Sequence, residues 1–273
     1  MKPQANGMAA DFSTSAVTVG GCRIRLMRGG SGEPLLYLHG ASGANWLPFL
    51  QTLTRNFDVI APEHPGFGES DTPPWLDNIH DLAYFYLDLF DALQLSGVNL
   101  VGNSLGGWIA AEIAVRSTQR LASLTLAGSA GLYVPGVTQV DSYLITEEQR
   151  LNAFFYDQSK AKEMIARVLH PDMEDTALKN RQTAAKLSWQ PRSHDPHLAK
   201  WLHRIDVPTL LIWGDTDRLF PKEHAKAWQA AIPGAKLVTI PKCGHVPQIE
   251  QPDAFVAALE EFIGARRQKR KTA

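Results

Sequence analysis

The stretch Asn99 to Val115 constrains the chain more than any other. It reads as a short apolar strand ending Leu100-Val101, a turn Gly102-Asn103-Ser104-Leu105-Gly106, and an amphipathic helix through Trp108, Ile109, Ile113 and Val115. Gly-x-Ser-x-Gly suits a strand that turns sharply into a helix. The middle residue is held in a strained backbone conformation, and a Cβ two positions to either side would strike a neighbouring element. Ser104 is thereby lifted out as a candidate nucleophile. It stands at the positive end of the helix dipole, beside the free N–H of Leu105, where an oxyanion needs a donor. A dinucleotide fingerprint would need glycine where Ser104 stands, and no Walker Gly-Lys-Ser/Thr is present. On the pentapeptide alone, a small-residue turn that merely packs stays open.

Around this stretch, apolar runs alternate with helical patterns. Ala16 to Val19, Gly20-Gly21 and Cys22 to Met27 predict a β-hairpin. Leu35 to Leu38, Asp58 to Ala61, Leu121 to Ala127, Pro208 to Trp213 and Lys236 to Ile240 predict further strands, several of them apolar enough to be buried on both faces. A helix is expected near Trp46 to Leu53. Another carries Leu82, Phe85, Tyr86, Leu89, Phe90 and Leu93 on one stripe, and a closing helix carries Phe255, Val256, Leu259, Phe262 and Ile263. Strands alternating with helices imply right-handed crossovers and a mostly parallel central sheet flanked by helices, an α/β fold.

The rhythm breaks between residues 131 and 204. Helix-like pieces at Thr146 to Phe155, Lys160 to Leu169 and Thr176 to Ser188 replace the strands, and so long a stretch is not a structureless loop. A helical cap over the sheet is expected, with an apolar underside of Tyr143, Phe154, Phe155, Tyr156 and Trp189. The division is then 1–130 and 205–273 for the two parts of the core and 131–204 for the cap.

Composition narrows the function classes. With 273 residues and 44% apolar content, the chain can bury one full core. A formal net charge of −1 argues against a nucleic-acid footprint. The basic run Arg266 to Lys271 reads as a frayed, solvated tail. No run of 18 apolar residues exists and Met1 to Ser15 lacks a signal-peptide core, so a soluble, cytoplasmic protein without membrane contact is expected. Cys22 and Cys243 form no disulfide framework, and His194-x-x-His197 has no ligand partner at metal spacing, so no metal is expected.

Ligands of open α/β sheets gather at the carboxyl ends of strands. The loops expected there, His39 to Gly43, Gly102 to Gly106, Gly214 to Pro221 and Lys242 to Pro247, carry serine, acid and histidine in that chain order. A serine hydroxyl needs a base to take its proton, and the base needs a carboxylate to fix its tautomer. Ser104, His245 and either Asp217 or Asp215 fill those roles.

Together, the Ser104 turn, the His39-Gly40 loop, the Pro65-Gly66-Phe67-Gly68-Glu69-Ser70 loop, the Asp217-Arg218-x-x-Pro221 segment and the late Gly244-His245 resemble the α/β-hydrolase fold with a cap, from about residue 16 to 264. The resemblance implies a triad of Ser104, Asp217 and His245 without a cofactor, with Asp215 bracing its turn and His39 structural. It also implies that the backbone N–H groups of Ala41 and Leu105 form the oxyanion hole. Gly102-Asn103-Ser104, Phe154 to Gln158, Arg181 and Lys242 to His245 are similar to segments of the meta-cleavage product hydrolases, which cut a carbon–carbon bond. The chain departs from that group with Val246 in place of tryptophan and with a shorter loop at Ala41-Ser42-Gly43-Ala44. The first expectation is therefore a serine hydrolase of a small acyl substrate, ester or lactone. Carbon–carbon cleavage is the alternative, and a small-molecule receptor of the same fold the second. Asn103, Val246 and Arg181 are the expected substrate contacts. Arg181 would grip a carboxylate if its helix turns it inward, or else pair with a cap acid such as Glu174 or Asp175. A homodimer is the one assembly allowed for.

Overall fold

The computed structural model describes residues 12–272, with side chains through Gln268. The expectations for Met1 to Asp11 and for the side chains of Lys269 to Lys271 lie outside the described residues.

Strands β1 (Phe12–Val19) and β2 (Cys22–Gly30) form the expected hairpin, with Val19 opposite Cys22. Gly20 and Gly21 both take left-handed φ values, 55° and 79°, which match the twist of a two-residue turn to that of the strands. Strands β3 (Glu33–Leu38), β4 (Phe57–Pro62), β5 (Val98–Asn103), β6 (Leu121–Ala127), β7 (Thr209–Gly214) and β8 (Lys236–Ile240) complete an eight-stranded sheet, ordered β1-β2-β4-β3-β5-β6-β7-β8. Only the β1–β2 and β2–β4 pairs are antiparallel.

The sheet is covered on both faces. Helices α1 (Pro48–Leu53), α2 (Ile79–Ala92), α3 (Leu105–Arg116), α4 (Glu147–Phe154), α5 (Gln158–Val168), α6 (Glu174–Ser188), α7 (Lys222–Ala231), α8 (Pro247–Glu250) and α9 (Pro252–Thr272) accompany it. Strand residues alternate between two cores, as a period of two requires. Leu36 and Leu38 join the core with α2, α3 and α7, whereas Leu35 and Tyr37 join the one with α1 and α9. Helix α2 starts with a reciprocal cap between Asn78 and Asp81 and buries Leu82, Phe85, Tyr86, Leu89 and Phe90.

Between β6 and β7 the chain leaves the sheet for α4, α5 and α6. Phe154 and Phe155 are buried beneath these helices, but Tyr156 and Trp189 are 50% and 46% exposed, so the apolar underside is smaller than expected. The inward face of α6 is Asn180, Thr183, Ala184, Leu187 and Ser188, while Leu178 is exposed. The helix is thus rotated by one residue, about 100°, from the stripe Leu178, Arg181, Ala185 and Ser188.

The start of the basic run is not a frayed tail. Helix α9 continues through it, Arg266 is buried against Glu33 at 2.5 Å, and Arg267 meets the same carboxylate at 3.2 Å. Among the described residues no helix is long and apolar enough to cross a membrane.

Candidate active site

Ser104 sits between β5 and α3 with φ 55° and ψ −116°, the strained conformation anticipated for the middle of the turn. The flanking glycines are required by contact rather than by φ. A Cβ on Gly106 would lie 2.1 Å from the Leu38 carbonyl oxygen, and one on Gly102 2.2 Å from that of Gly106. Strand β5 and helix α3 therefore close tightly enough to push the serine outward. The N–H groups of Leu105 and Ala41 donate to no protein acceptor among the described residues.

His245 follows β8 and Asp217 follows β7, so both stand at the same edge as Ser104. His245 Nε2 lies 2.9 Å from Ser104 Oγ, and its Nδ1 lies 2.9 Å from Asp217 Oδ2. Asp217 is buried, and its other oxygen accepts the N–H groups of Leu219 and Phe220, each at 2.9 Å. These bonds fix the carboxylate so that its free oxygen aims at the imidazole. Asp215 is exposed and accepts only the N–H of Cys243, at 3.3 Å. It braces the turn.

His245 is held from the helical segment as well. Its backbone N–H donates to the Phe154 carbonyl at 2.7 Å, and its ring packs on Phe154 and Phe220 at 5.1 and 5.6 Å. The preceding residue must be glycine, because a Cβ on Gly244 would lie 2.2 Å from the Phe154 oxygen. Buried Glu250 joins the same region. One of its carboxylate oxygens accepts the Gly244 N–H at 2.5 Å, and the other the Asp157 N–H at 2.6 Å.

His39 is structural. Its Nε2 accepts the His64 N–H at 3.0 Å, so Nδ1 carries the hydrogen and donates to the Gly40 carbonyl at 2.7 Å. The two rings stack at 3.7 Å, and His64 Nε2 donates to the His39 carbonyl at 2.9 Å. Burial lowers the pKa of His39 to about 4 and that of His64 well below its ordinary value. Both rings are neutral braces for the Gly40-Ala41-Ser42 loop.

A cavity of about 270 Å³ opens onto Ser104, His245, Ala41 and Leu105. Asn103 and Val246 line it, and Asn103 also uses its side-chain N–H to hold the Ala127 carbonyl at 3.1 Å. Arg181 lines instead a smaller adjoining pocket, together with Glu147 and with Ala41, Ser42 and Arg150 of the shared wall. Its guanidinium pairs with Glu147 at 2.9 Å and donates to the Ser142 and Ile145 carbonyls. The inward contact expected of Arg181 is thus replaced by a pair with an acid of α4, Glu147, rather than with Glu174 or Asp175. Sequence reasoning missed Arg150, which lines the cavity and is only 8% exposed. It also missed Asn180, whose amide donates to the Ser42 carbonyl at 3.2 Å and accepts the Gly68 N–H at 2.8 Å.

A model of the alpha/beta hydrolase family matches residues 35–258. The chain belongs to the alpha/beta hydrolase family. The 2-hydroxy-6-oxo-6-phenylhexa-2,4-dienoate hydrolase of Burkholderia cepacia is 30% identical over 265 residues, 88% of this chain and 91% of that protein. The 2-hydroxy-6-oxo-6-(2'-aminophenyl)hexa-2,4-dienoic acid hydrolase of Metapseudomonas resinovorans is 28% identical over 92% of this chain and 90% of its own. Among solved structures, a bacterial membrane phospholipase A matches with TM-score 0.80 and 26% identity, over 94% of this chain and 87% of that one. The meta-cleavage product hydrolase of Pseudomonas fluorescens IP01 matches with TM-score 0.76 and 24% identity, over 92% and 97%, and shares the fold.

Two further sets of reactive side chains in this alpha/beta hydrolase do not line the cavity. His80, Glu112 and Asp195 bring ligand atoms within 4.8 Å of one another. Arg116 already fills that space as a cation, meeting Glu112 at 2.5 Å and His80 Nδ1 at 2.7 Å, so the cluster is a salt-bridge network rather than a metal site. Cys22 and Cys243 are free and buried, and burial raises the pKa of both thiols, which leaves neither a ready nucleophile.

Proposed function

We propose that this alpha/beta hydrolase cleaves a carbon–carbon bond in an acidic, vinylogous diketone substrate, with Ser104 as nucleophile, His245 as base and then acid, and Asp217 as its orienting carboxylate. The observation that carries the reading is the cavity lining. Arg150 and Arg167 contribute to it and no carboxylate does, so the space around Ser104 favours an anion. Relatives at 28–30% identity are named for hydrolysis of hydroxy-oxo-dienoic acids, which favours this reaction over the ester or lactone expected first.

In the proposed mechanism, the 2-hydroxy-dienoic acid first moves its enol proton from oxygen to C5, giving the conjugated 2-oxo form; Ser104 Oγ then adds to the ketone carbon beside the scissile bond and its proton passes to His245 Nε2. The N–H groups of Ala41 and Leu105 meet the oxyanion. Collapse breaks the carbon–carbon bond, and its electron pair is delocalised into the conjugated carbonyl of the departing acid, whose carbon takes the proton from His245. Water, deprotonated by His245, then releases the acyl group from Ser104. Residues 131–204 serve as a cap that walls the cavity.

Ester hydrolysis is the second reading. It is supported by the 26% identity to a phospholipase A, and it needs the same triad without delocalisation in the leaving group. The test is a panel of 2-hydroxy-6-oxo-dienoic acids, enol lactones and 4-nitrophenyl esters with purified protein. The first reading expects the largest kcat/KM for a dienoic acid. Faster turnover of an ester or lactone replaces it with the second, and binding without turnover of any substrate leaves a receptor.

A further inference from the structure

Arg150 is a buried arginine whose charge the fold does not use up. Glu147 takes its Nε–H at 2.8 Å and one Nη2 hydrogen. Glu147 also pairs with Arg181, so these three side chains together keep one net positive charge. A guanidinium has five N–H donors, and Glu147 engages two of those on Arg150. Of the other three, two reach the single hydroxyl of Ser42, at long distances of 3.3 and 3.4 Å. Arg150 therefore keeps donor capacity directed at the loop that carries Ala41.

Its position suits a substrate end. The guanidinium carbon lies 4.7 Å from the Phe154 ring centre, and that ring lies 5.1 Å from His245, so one aromatic ring separates the cation from the base. Arg167 lines the cavity from an exposed position on α5 and has no ion-pair partner among the described residues. A fixed cation stands deep in the wall and a free one on α5.

We infer that Arg150, seated against Ser42, is the subsite for the substrate's carboxylate, with Arg167 drawing the anion in. This rests on the reading of the cavity as a hydrolase site for an acid. A carboxylate would take the N–H donors that Ser42 holds weakly, in the bidentate geometry that guanidinium allows, while Glu147 keeps the guanidinium plane fixed from its other side. Arg181 takes no direct part, because its own donors go to Glu147 and two carbonyls.

The test compares 4-nitrophenyl hemiglutarate with 4-nitrophenyl valerate, matched in chain length and differing in one carboxylate. Wild type should prefer the anionic ester in kcat/KM. Arg150→Gln should reduce that preference at least tenfold, mainly through KM, and Arg150→Lys by less, whereas Arg181→Gln, which removes one charge but leaves the Arg150 donors in place, should reduce it by less than Arg150→Gln does. If Arg150→Gln does not fold, Ser42→Asp keeps the arginine and supplies its carboxylate internally, and should abolish the preference. An unchanged ratio in Arg150→Gln or Ser42→Asp, or a loss in Arg181→Gln as large as that in Arg150→Gln, overturns the inference. If neither ester is turned over, the ester reading falls and the ratio gives no measure of the subsite. Glutarate binding by calorimetry then tests Arg150 separately: binding that Arg150→Gln weakens tenfold supports the subsite, and no binding, or equal binding, overturns it.

Discussion

The Phe154 carbonyl accepts the backbone N–H of His245 at 2.7 Å, so the end of α4 holds the residue proposed as catalytic base. Glu250 strengthens the same join through the N–H groups of Gly244 and Asp157. Glu250→Ala would leave the buried Gly244 N–H without a partner and release that of exposed Asp157, at a cost on the order of 2 kcal/mol. Chemical denaturation should register that loss together with a fall in kcat. Glu250→Gln, which keeps one acceptor oxygen, should lose less, and unchanged stability in Glu250→Ala would remove the join from the account.

Ser104→Ala deletes the hydroxyl that lies 2.9 Å from His245 and leaves the backbone unchanged. Turnover should fall by roughly 10⁴-fold or more, because members of a triad act as a unit, while the midpoint of thermal unfolding stays near that of wild type. Retained turnover in a folded variant would exclude Ser104 as nucleophile.

Asp217→Asn and Asp215→Asn separate the two acids. Asp217 accepts from Leu219, Phe220 and the His245 ring, whereas Asp215 is exposed and accepts one N–H. An amide at 217 can present its NH₂ to Nδ1 and favour the wrong tautomer, a change that costs about 10⁴-fold in a comparable triad. Asp215→Asn should stay within about tenfold of wild type. The reverse order in steady-state kinetics would move the acid to position 215.

Acid should loosen the protein through its buried histidines. The pKa of His39 is held at about 4 in the fold against an ordinary 6.5, so the unfolded chain binds more protons between these values. The stabilisation is complete above pH 6.5 and is lost as pH falls toward 4, on the order of 3 kcal/mol from this group. Urea unfolding at pH 7, 5.5 and 4.5 should show the decline, and His39→Asn should make it shallower, with His64 supplying the remainder. An equally steep decline in that variant would assign the acid sensitivity to other groups.

Much of this was legible in the chain because it follows from packing. Apolar runs such as Leu35 to Leu38 announce a buried strand, and the small residues around Ser104 are dictated by the approach of α3 to β5. Arg150 was not legible. In Glu147-Glu148-Gln149-Arg150 it reads as part of a solvated helix face, and its burial arises only when α4 comes to rest on Ser42. The register of α6 was hidden for a related reason. Its inward face includes Asn180 and Thr183, whose side chains bond to the Ser42 and Gly66 carbonyls, so polarity there gave no sign of burial. Arg266 looked like part of a loose tail because Glu33, its partner, lies at the other end of the sequence.

The residues between β6 and β7 form one uninterrupted stretch of the gene, and three of the groups that wall the cavity, Arg150, Phe154 and Val168, come from it. A laboratory wishing to change what the enzyme accepts could transplant that stretch from a relative and leave Ser104, Asp217 and His245 untouched. The bond from Phe154 to His245 sets the condition for success. The graft must return its backbone at the positions of 154 and 157 to the same place, or the imported helices will bring a new pocket and misplace the base beneath it.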